Sequence, residues 1–243
     1  MHFILDVHCH TTASGHAYST FEENLHRAKS IGLKLIGVSD HGPAMIDSSP
    51  LSHFLEILKL PPLIGGVHCL KGAEANIINT SGGLDIPDDI LSSLDFCIAS
   101  IHESLYLPGD SNANTDAILA AMQNPYVSII GHPGDINVPI NPLPIVANAA
   151  KTGTLIEINN KSLIKGNRRY DGGIVITEIL ALCKEYNTGI IAGSDAHMAK
   201  DVGRFKFAKS IILKSGIDEN LIMNTNVERF LYTLKGKRYG KKS

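Results

Sequence analysis

Three histidines and an aspartate lie close together near the start of the chain, at Asp6, His8, His10 and His16. The short apolar run before them is typical of a buried strand, whose side chains alternate between two faces. We therefore expect Asp6, His8 and His10 to share one face, and Val7 and Cys9 to point away. Two imidazoles on one face can bind one metal ion, and His16, after a loop, suits a second ion nearby. The His-x-His spacing alone is equally compatible with two core histidines.

The elements that must position these residues alternate along the chain. Seven apolar runs predict strands at residues 3–5, 33–38, 67–71, 94–101, 126–131, 154–158 and 189–193. Helical spacing and end signals predict helices at residues 20–32, 52–58, 115–123, 142–151, 173–186, 202–212 and 226–235. Alternating strands and helices indicate a parallel sheet with helices outside, and seven such units favour a closed barrel.

Polar residues recur just beyond the predicted strand ends. In a barrel of this kind the loops that follow the strands converge at one rim, where active sites form. We therefore expect nine side chains to gather there as metal ligands: His8, His10, His16, His41, Glu74, His102, His132, Asp195 and His197. Nine ligands are enough for three ions. Three divalent cations and two carboxylates leave a charge of about +4, which favours an anionic substrate.

The donor set predicts the kind of metal. Imidazole and carboxylate together favour zinc, manganese or iron over calcium and magnesium. We expect three divalent ions, with zinc as the preferred metal and manganese or iron as alternatives. Bound ions lower the pKa of water, so a bridging hydroxide would be the nucleophile, and no serine or cysteine nucleophile is required.

The motifs around these positions resemble the PHP (polymerase and histidinol phosphatase) family, and most closely its small stand-alone phosphatases of the YcdX type. The resemblance covers residue 3 to about residue 230. It rests on Asp6-x-His8-x-His10, His16, Ser39-Asp40-His41-Gly42, Gly72-x-Glu74-Ala75-Asn76, Ile101-His102-Glu103, Gly131-His132-Pro133-Gly134, Glu157-Ile158-Asn159-Asn160 and Gly193-Ser194-Asp195-x-His197.

This resemblance implies a distorted (β/α)7 TIM-like barrel, a trinuclear site and phosphoesterase activity. It also implies how the ligands divide among three ions. The first ion takes His8, His10, Glu74 and Asp195; the second takes His102, His132 and a bridging Glu74; the third takes His16, His41 and His197.

The function predicted from these residues is a metal-dependent phosphatase that hydrolyses a small phosphomonoester. Three alternatives stay open. An amidohydrolase-type metal hydrolase also begins with His-x-His but leaves His16, His41 and Glu74 unused. A nuclease or phosphodiesterase needs a basic groove that the composition does not suggest. A non-catalytic metal-binding module is the third.

Composition narrows the class of protein. The 243 residues, 44% of them hydrophobic, are enough for one domain, residues 1–243, with a solvated basic tail from about residue 236. A net charge of −2 argues against nucleic-acid partners. No apolar run is long enough for a membrane span, and we expect a cytoplasmic protein with a small phosphorylated substrate. The spacing of the four cysteines predicts reduced residues in the core. The sequence is also compatible with a homo-oligomer.

Several polar residues near the expected rim are not counted among the ligands. Asp6, one step deeper on the same face, is compatible with orienting a ligand or with binding within the barrel behind the ligands. Asn159 and Asn160 are compatible with a turn, and slightly more with support of the rim. Arg168 and Arg169 are equally compatible with a phosphate clamp and with solvated side chains. The remaining histidines lack a position at a strand end and are assigned to the surface or to a satisfied interior: His2, His26, His53 and His68.

Overall fold

Seven parallel strands form a nearly closed barrel. The computed structural model describes residues 1–106, 109–171 and 173–239. The described residues form eight strands, and all except β3 belong to the barrel: β1 (Leu5–Asp6), β2 (Leu35–Val38), β3 (Leu63–Ile64), β4 (Val67–Asn76), β5 (Phe96–Ser100), β6 (Ile129–Ile130), β7 (Leu155–Asn159) and β8 (Ile190–Gly193). Neighbours follow the order β1-β2-β4-β5-β6-β7-β8, and each of these pairs is parallel. Strand β3 pairs antiparallel with β4, outside this path.

Backbone hydrogen bonds beyond β1 and β8 bring the two ends of the sheet together. The His10 amide donates to the Ala196 carbonyl at 2.9 Å, and the Ala196 amide donates to the His8 carbonyl at 3.2 Å. These bonds place the segment that follows β1 beside the segment that follows β8. The predicted distorted (β/α)7 TIM-like barrel is therefore confirmed.

Helices surround the barrel. They are α1 (Phe21–Ser30), α2 (Leu51–Glu56), α3 (Asp88–Ser93), α4 (Ser111–Ala121), α5 (Pro142–Thr152), α6 (Ile174–Glu185), α7 (Lys206–Ser215) and α8 (Val227–Tyr239). Thr20 caps α1 as the sequence predicts, because its hydroxyl accepts from the Glu23 amide while the Glu23 carboxylate accepts from the Thr20 amide. Helix α3 was not predicted, and α4 begins earlier than predicted because Asp110 is its N-cap.

The apolar half of the barrel interior is closed by the last helix. Phe230 and Leu234 of α8 belong to the same buried cluster as Leu5, Phe96 and other side chains from the strands. The outer faces of the strands pack against the surrounding helices in separate clusters. One end of the barrel is therefore filled by hydrocarbon, and polar chemistry is confined to the other end.

Two further element ends differ from the prediction. Strand β4 continues to Asn76 rather than ending at residue 71, because small buried residues in 72–76 pair in register with β5. The solvated tail predicted from about residue 236 is helical as far as Tyr239. Lys237 donates to the Met122 carbonyl at 2.8 Å, and Arg238 donates to the Ser92 carbonyl at 3.0 Å. Residues 240–243 lie outside the described residues.

Within the described ranges, each helix is too short or too polar to cross a lipid bilayer.

Candidate metal centre

The nine predicted ligands gather at the end of the barrel where the parallel strands finish. Adjacent imidazoles form a continuous group, with ring centroids 4.3 Å apart for His10 and His41 and for His10 and His197. His102 lies 5.1 Å from both His41 and His132 by the same measure. Residues scattered from position 8 to position 197 thus form one cluster.

Glu74 lies at the middle of this cluster and is almost fully buried. Its Oε2 atom is 3.3 Å from Nε2 of His8, 3.5 Å from Nε2 of His10 and 2.9 Å from Nδ1 of His41. Its Oε1 atom is 2.9 Å from Nε2 of His132 and 3.5 Å from Nε2 of His102. A single carboxylate therefore reaches five imidazoles, which suits a residue that bridges two ions.

Asp195 and His16 complete the set at its edges. Asp195 Oδ1 lies 3.5 Å from Nε2 of His10 and 4.0 Å from Nε2 of His8. His16 is exposed, with its ring centroid 4.9 Å from those of His41 and His197. Of the nine predicted ligands, His16 is therefore the most exposed.

Hydrogen bonds on the far side of three imidazoles orient them toward the cluster. Nδ1 of His8 donates to Glu157 Oε1 at 2.6 Å, and Nδ1 of His102 donates to Asn76 Oδ1 at 2.7 Å. Nδ1 of His10 lies 3.2 Å from Ser14 Oγ, and this hydroxyl donates a hydrogen bond to Asp40 Oδ1 at 2.7 Å. An imidazole that donates through Nδ1 leaves the lone pair of Nε2 free for a metal ion.

Four buried atoms at the centre make no hydrogen bond of suitable geometry, including the close pair of His41 and Glu74: Nε2 of His8, Nε2 of His10, Nδ1 of His41 and Oε2 of Glu74. Buried polar atoms without partners are rare in folded proteins because losing water costs free energy. These four point toward one another, and three compact groups of possible ligand atoms are found around them. The donor set fits zinc, manganese or iron, as the sequence predicts.

The pKa values of the clustered groups suit metal binding. Burial raises the pKa of the Glu74 carboxyl, but His8, His41 and His102 outweigh burial and hold it well below its usual range. Burial lowers the pKa of His102, and that of His197, to about 4. An ionised carboxylate and neutral imidazoles are the protonation states that ligate cations.

His8 behaves differently. Burial lowers its pKa, but Glu157, Glu74 and Asp195 outweigh burial and raise it well above the usual value. Three carboxylates around one imidazole favour a positive charge at this place. Surroundings that favour a positive charge here also favour a bound cation.

Strained or crowded backbone supports the same arrangement. His132 and Asp195 adopt positive φ angles of 30° and 54°, which cost non-glycine residues about 1–3 kcal/mol each. At Gly193 an added Cβ would lie 1.8 Å from Glu157 Oε1, so glycine leaves the space for the Glu157 side chain beside His8.

Asp6 does not share the face of His8 and His10, and Val7 does not point away from the barrel interior, so both predictions were wrong. Val7 packs inside the barrel with Phe96, and the regular pairing of β1 ends at Asp6, so two consecutive side chains, Val7 and His8, face inward. Asp6 instead accepts from the backbone amides of Gly203 at 2.8 Å and Ser194 at 3.3 Å. It supports the chain around the site and takes no part in the cluster.

Sequence reasoning left two supporting side chains without an assigned role. Glu157 was noticed only as part of a motif; besides holding His8, its Oε2 accepts from the His132 amide at 2.7 Å. Arg169 is 9% exposed and pairs with Asp195, whereas Arg168 is exposed and pairs with Glu103. The position of Glu157 on the inward face of a strand, two residues before Asn159, was the available signal.

The other predictions around the rim have clear outcomes. Asn159 donates to Asp195 at 3.3 Å and so supports the rim, whereas Asn160 caps α7 by accepting from the Phe207 amide at 2.8 Å. Of the four histidines outside the predicted ligand set, His2, His26 and His68 are exposed, and His53 is hydrogen-bonded to Asp40 at 3.0 Å. All four cysteines are buried and unpaired: Cys9, Cys69, Cys97 and Cys183.

A parallel barrel with a buried histidine and carboxylate cluster at its rim defines a class of metal-dependent enzyme folds, and comparisons with known proteins narrow it. The model of the PHP domain matches residues 6–221, and the chain belongs to this family. It is 44% identical over 237 residues to a probable phosphatase of Clostridium novyi, covering 98% of this chain and 96% of that protein. A probable phosphatase of a Thermoanaerobacter species is 43% identical over 239 residues, covering 98% and 97%.

A solved structure shares the fold at low sequence identity. It is the histidinol phosphate phosphatase of Lactococcus lactis in complex with zinc, L-histidinol and phosphate. The TM-score is 0.59 and the identity 17%, covering 88% of this chain and 94% of that one.

Proposed function

We propose that this protein is a metal-dependent phosphatase that hydrolyses a small phosphomonoester at a site for three divalent ions, zinc first. The observation that carries the proposal is the set of buried, unpartnered nitrogen and oxygen atoms around Glu74. The names of the relatives and the zinc and phosphate bound to the Lactococcus lactis enzyme support it.

The nine ligands divide into three sets in this proposal. The first is His8, His10, Glu74 and Asp195; the second is His102, His132 and Glu74; the third is His16, His41 and His197. Ions bound there supply Lewis-acid chemistry, lowering the pKa of water and offsetting negative charge on phosphate. The central position of Glu74 favours this site over an amidohydrolase-type site, which would not use it.

The chain's own residues leave water as the nucleophile. Two hydroxyls that contact the cluster are already engaged: Ser14 donates to Asp40 at 2.7 Å, and Ser100 donates to Glu74 at 2.7 Å. Burial and the nearby Asp6 carboxylate raise the pKa of the Cys9 thiol well above its usual value, so it stays protonated. Without an activated side chain, direct attack by water is the simpler chemistry.

Arg169 provides a binding group for the phosphate. One of its nitrogens, Nη2, is bonded to Asp195, while Nε and Nη1 are buried without a partner. Unpaired guanidinium N–H groups are costly to bury and match the oxygens of phosphate. We therefore expect Arg169 to hold and orient the phosphoryl group beside the ligands.

Hydrolysis of p-nitrophenyl phosphate tests the proposal. We expect activity with zinc or manganese, loss of activity after chelation, and recovery when the metal is returned. His102→Asn should reduce kcat/KM by at least about 100-fold because it removes a ligand, whereas the matched change His26→Asn on the exposed face of α1 should leave it unchanged. A fully metal-loaded protein that is inert toward a broad panel of phosphomonoesters would contradict the proposal.

A further inference from the structure

Lys161 places an ammonium group at the mouth of the metal centre, outside the nine proposed ligands. Its Nζ atom is 3.1 Å from Nδ1 of His197 and 3.6 Å from Oδ1 of Asp195. The Lys161 side chain is 31% exposed, whereas that of Asp195 is 3% exposed. The amine therefore lies between the buried carboxylate and solvent, where a substrate must enter.

The chain holds Lys161 in this place. Lys161 is the first residue of a short 3-10 turn, Lys161–Leu163, and lies two residues after the end of β7 at Asn159. The Asn159 side-chain oxygen accepts from the Ser162 amide at 3.0 Å, and the Asn159 amide group donates to Asp195 at 3.3 Å. The same asparagine thus fixes both the turn that carries the lysine and the carboxylate that it faces.

The charges around Lys161 do not balance once a cation is bound. Across the described residues, Asp195 is the only carboxylate that pairs with Lys161, and Asp195 also pairs with the buried Arg169. One negative charge therefore serves two positive side chains. When Asp195 ligates a divalent ion, its charge is shared with that ion, and it then compensates the charges of Lys161 and Arg169 less.

We infer that Lys161 binds a non-bridging oxygen of the phosphate and makes the site selective for phosphomonoesters over phosphodiesters. The inference rests on the proposed function, because it concerns the substrate of that same site. A phosphomonoester near neutral pH is largely a dianion with three free oxygens, whereas a diester carries one charge and two free oxygens. An additional cation at the mouth stabilises the bound dianion more than the monoanion.

Three variants test this inference in the metal-loaded protein: Lys161→Met, Lys161→Arg, and Lys165→Met as an exposed control in the same loop. We expect Lys161→Met to lower kcat/KM for p-nitrophenyl phosphate by about 10- to 100-fold, the range for losing a charge-assisted hydrogen bond. The loss for bis(p-nitrophenyl) phosphate should be much smaller. Lys161→Arg should keep most of the selectivity, and Lys165→Met should behave like the wild type.

Two further measurements do not depend on turnover. Calorimetry should show that Lys161→Met weakens the binding of inorganic phosphate by about the same factor. Metal content, measured by mass spectrometry, should equal that of the wild type. Equal losses for monoester and diester, unchanged phosphate binding, or loss of metal in Lys161→Met would each overturn the inference.

These outcomes separate the inference from the proposed function. An active wild type whose Lys161→Met variant matches Lys165→Met would defeat the inference alone. An inert wild type that still binds phosphate through Lys161 would defeat the proposed activity while the phosphate contact stands.

Discussion

At the scale of single residues, the metal centre is organised by carboxylates that act at different depths. Glu74 contacts the imidazoles directly, whereas Glu157 accepts hydrogen bonds from Nδ1 of His8 and from the His132 backbone amide. Asp40 lies deeper still and bonds to Ser14, which in turn contacts His10. The ligands therefore keep their orientation through buried hydrogen bonds that a metal ion does not have to create.

Glu157→Gln should weaken zinc binding about 10- to 100-fold, because supporting carboxylates tune the ligands that they orient. The measurement is competition against a chelator of known affinity. Glu185→Gln, an exposed position on α6, is the matched control and should bind zinc like the wild type. Equal affinities for Glu157→Gln and the wild type would show that Glu157 does not support the site.

Asp40 should make the stability of the metal-free protein depend on pH. Burial raises the pKa of this carboxyl, but hydrogen bonds from His53, Thr11 and Ser14 outweigh burial and lower it to about 2, from an ordinary value of 3.8. A carboxyl whose pKa is lower in the folded than in the unfolded state stabilises the fold at pH values above its unfolded-state pKa. This stabilisation is lost as the pH falls through the folded-state pKa. The shift corresponds to about 2 kcal/mol near neutral pH.

We therefore expect Asp40→Asn to reduce the free energy of unfolding in urea by about 2 kcal/mol near neutral pH. The difference from the wild type should narrow by about 1 kcal/mol when the pH is lowered to about 3. Asp116→Asn, an exposed position on α4, should have little effect at either pH. A difference that does not change with pH would contradict this role of Asp40.

At the scale of elements, the strand ends place the ligands and α8 closes the opposite end of the barrel. Regular alternation describes β7, where Leu155, Glu157 and Asn159 follow one another on one face, but it fails after Asp6, where the pairing of β1 ends. The apolar cluster under the site contains side chains from six strands together with Phe230 of α8. The position of the ligands thus depends on a helix distant in sequence.

Phe230→Ala should destabilise the protein by about 3–5 kcal/mol, because it removes a fully buried ring from the cluster at the base of the barrel. Tyr232→Ala, at a side chain that is 68% exposed on the same helix, should change stability by less than about 0.5 kcal/mol. Urea unfolding of the metal-free protein measures both. Equal effects of the two changes would mean that α8 is not part of the core.

Much of this arrangement could be predicted from the sequence because strand ends and ligands coincide. The barrel and the gathering of the nine residues follow from polar groups placed after successive apolar runs. Asp6 could not be placed, since a break in alternation leaves no mark in residue types. Arg169 and Lys161 could not be assigned, because their roles depend on how a long loop folds back to Asp195. Helix α3 lacked helical spacing long enough to detect.

At the scale of the whole molecule, charge is distributed unevenly. The chain has a net charge of −2, yet the rim gathers imidazoles, Arg169 and Lys161 around few carboxylates. With cations bound, this end of the barrel is strongly positive, and the other end is hydrocarbon. We expect such a charge distribution to attract small anions to this end of the barrel.

The most direct test of the whole account is to count the zinc ions bound per chain by mass spectrometry of the intact, folded protein, titrated from its metal-free state. We expect binding to saturate at three ions, because nine ligands provide three sites of three or four donors when Glu74 is shared. A chain that saturates at fewer than three ions would contradict the proposed three-ion centre.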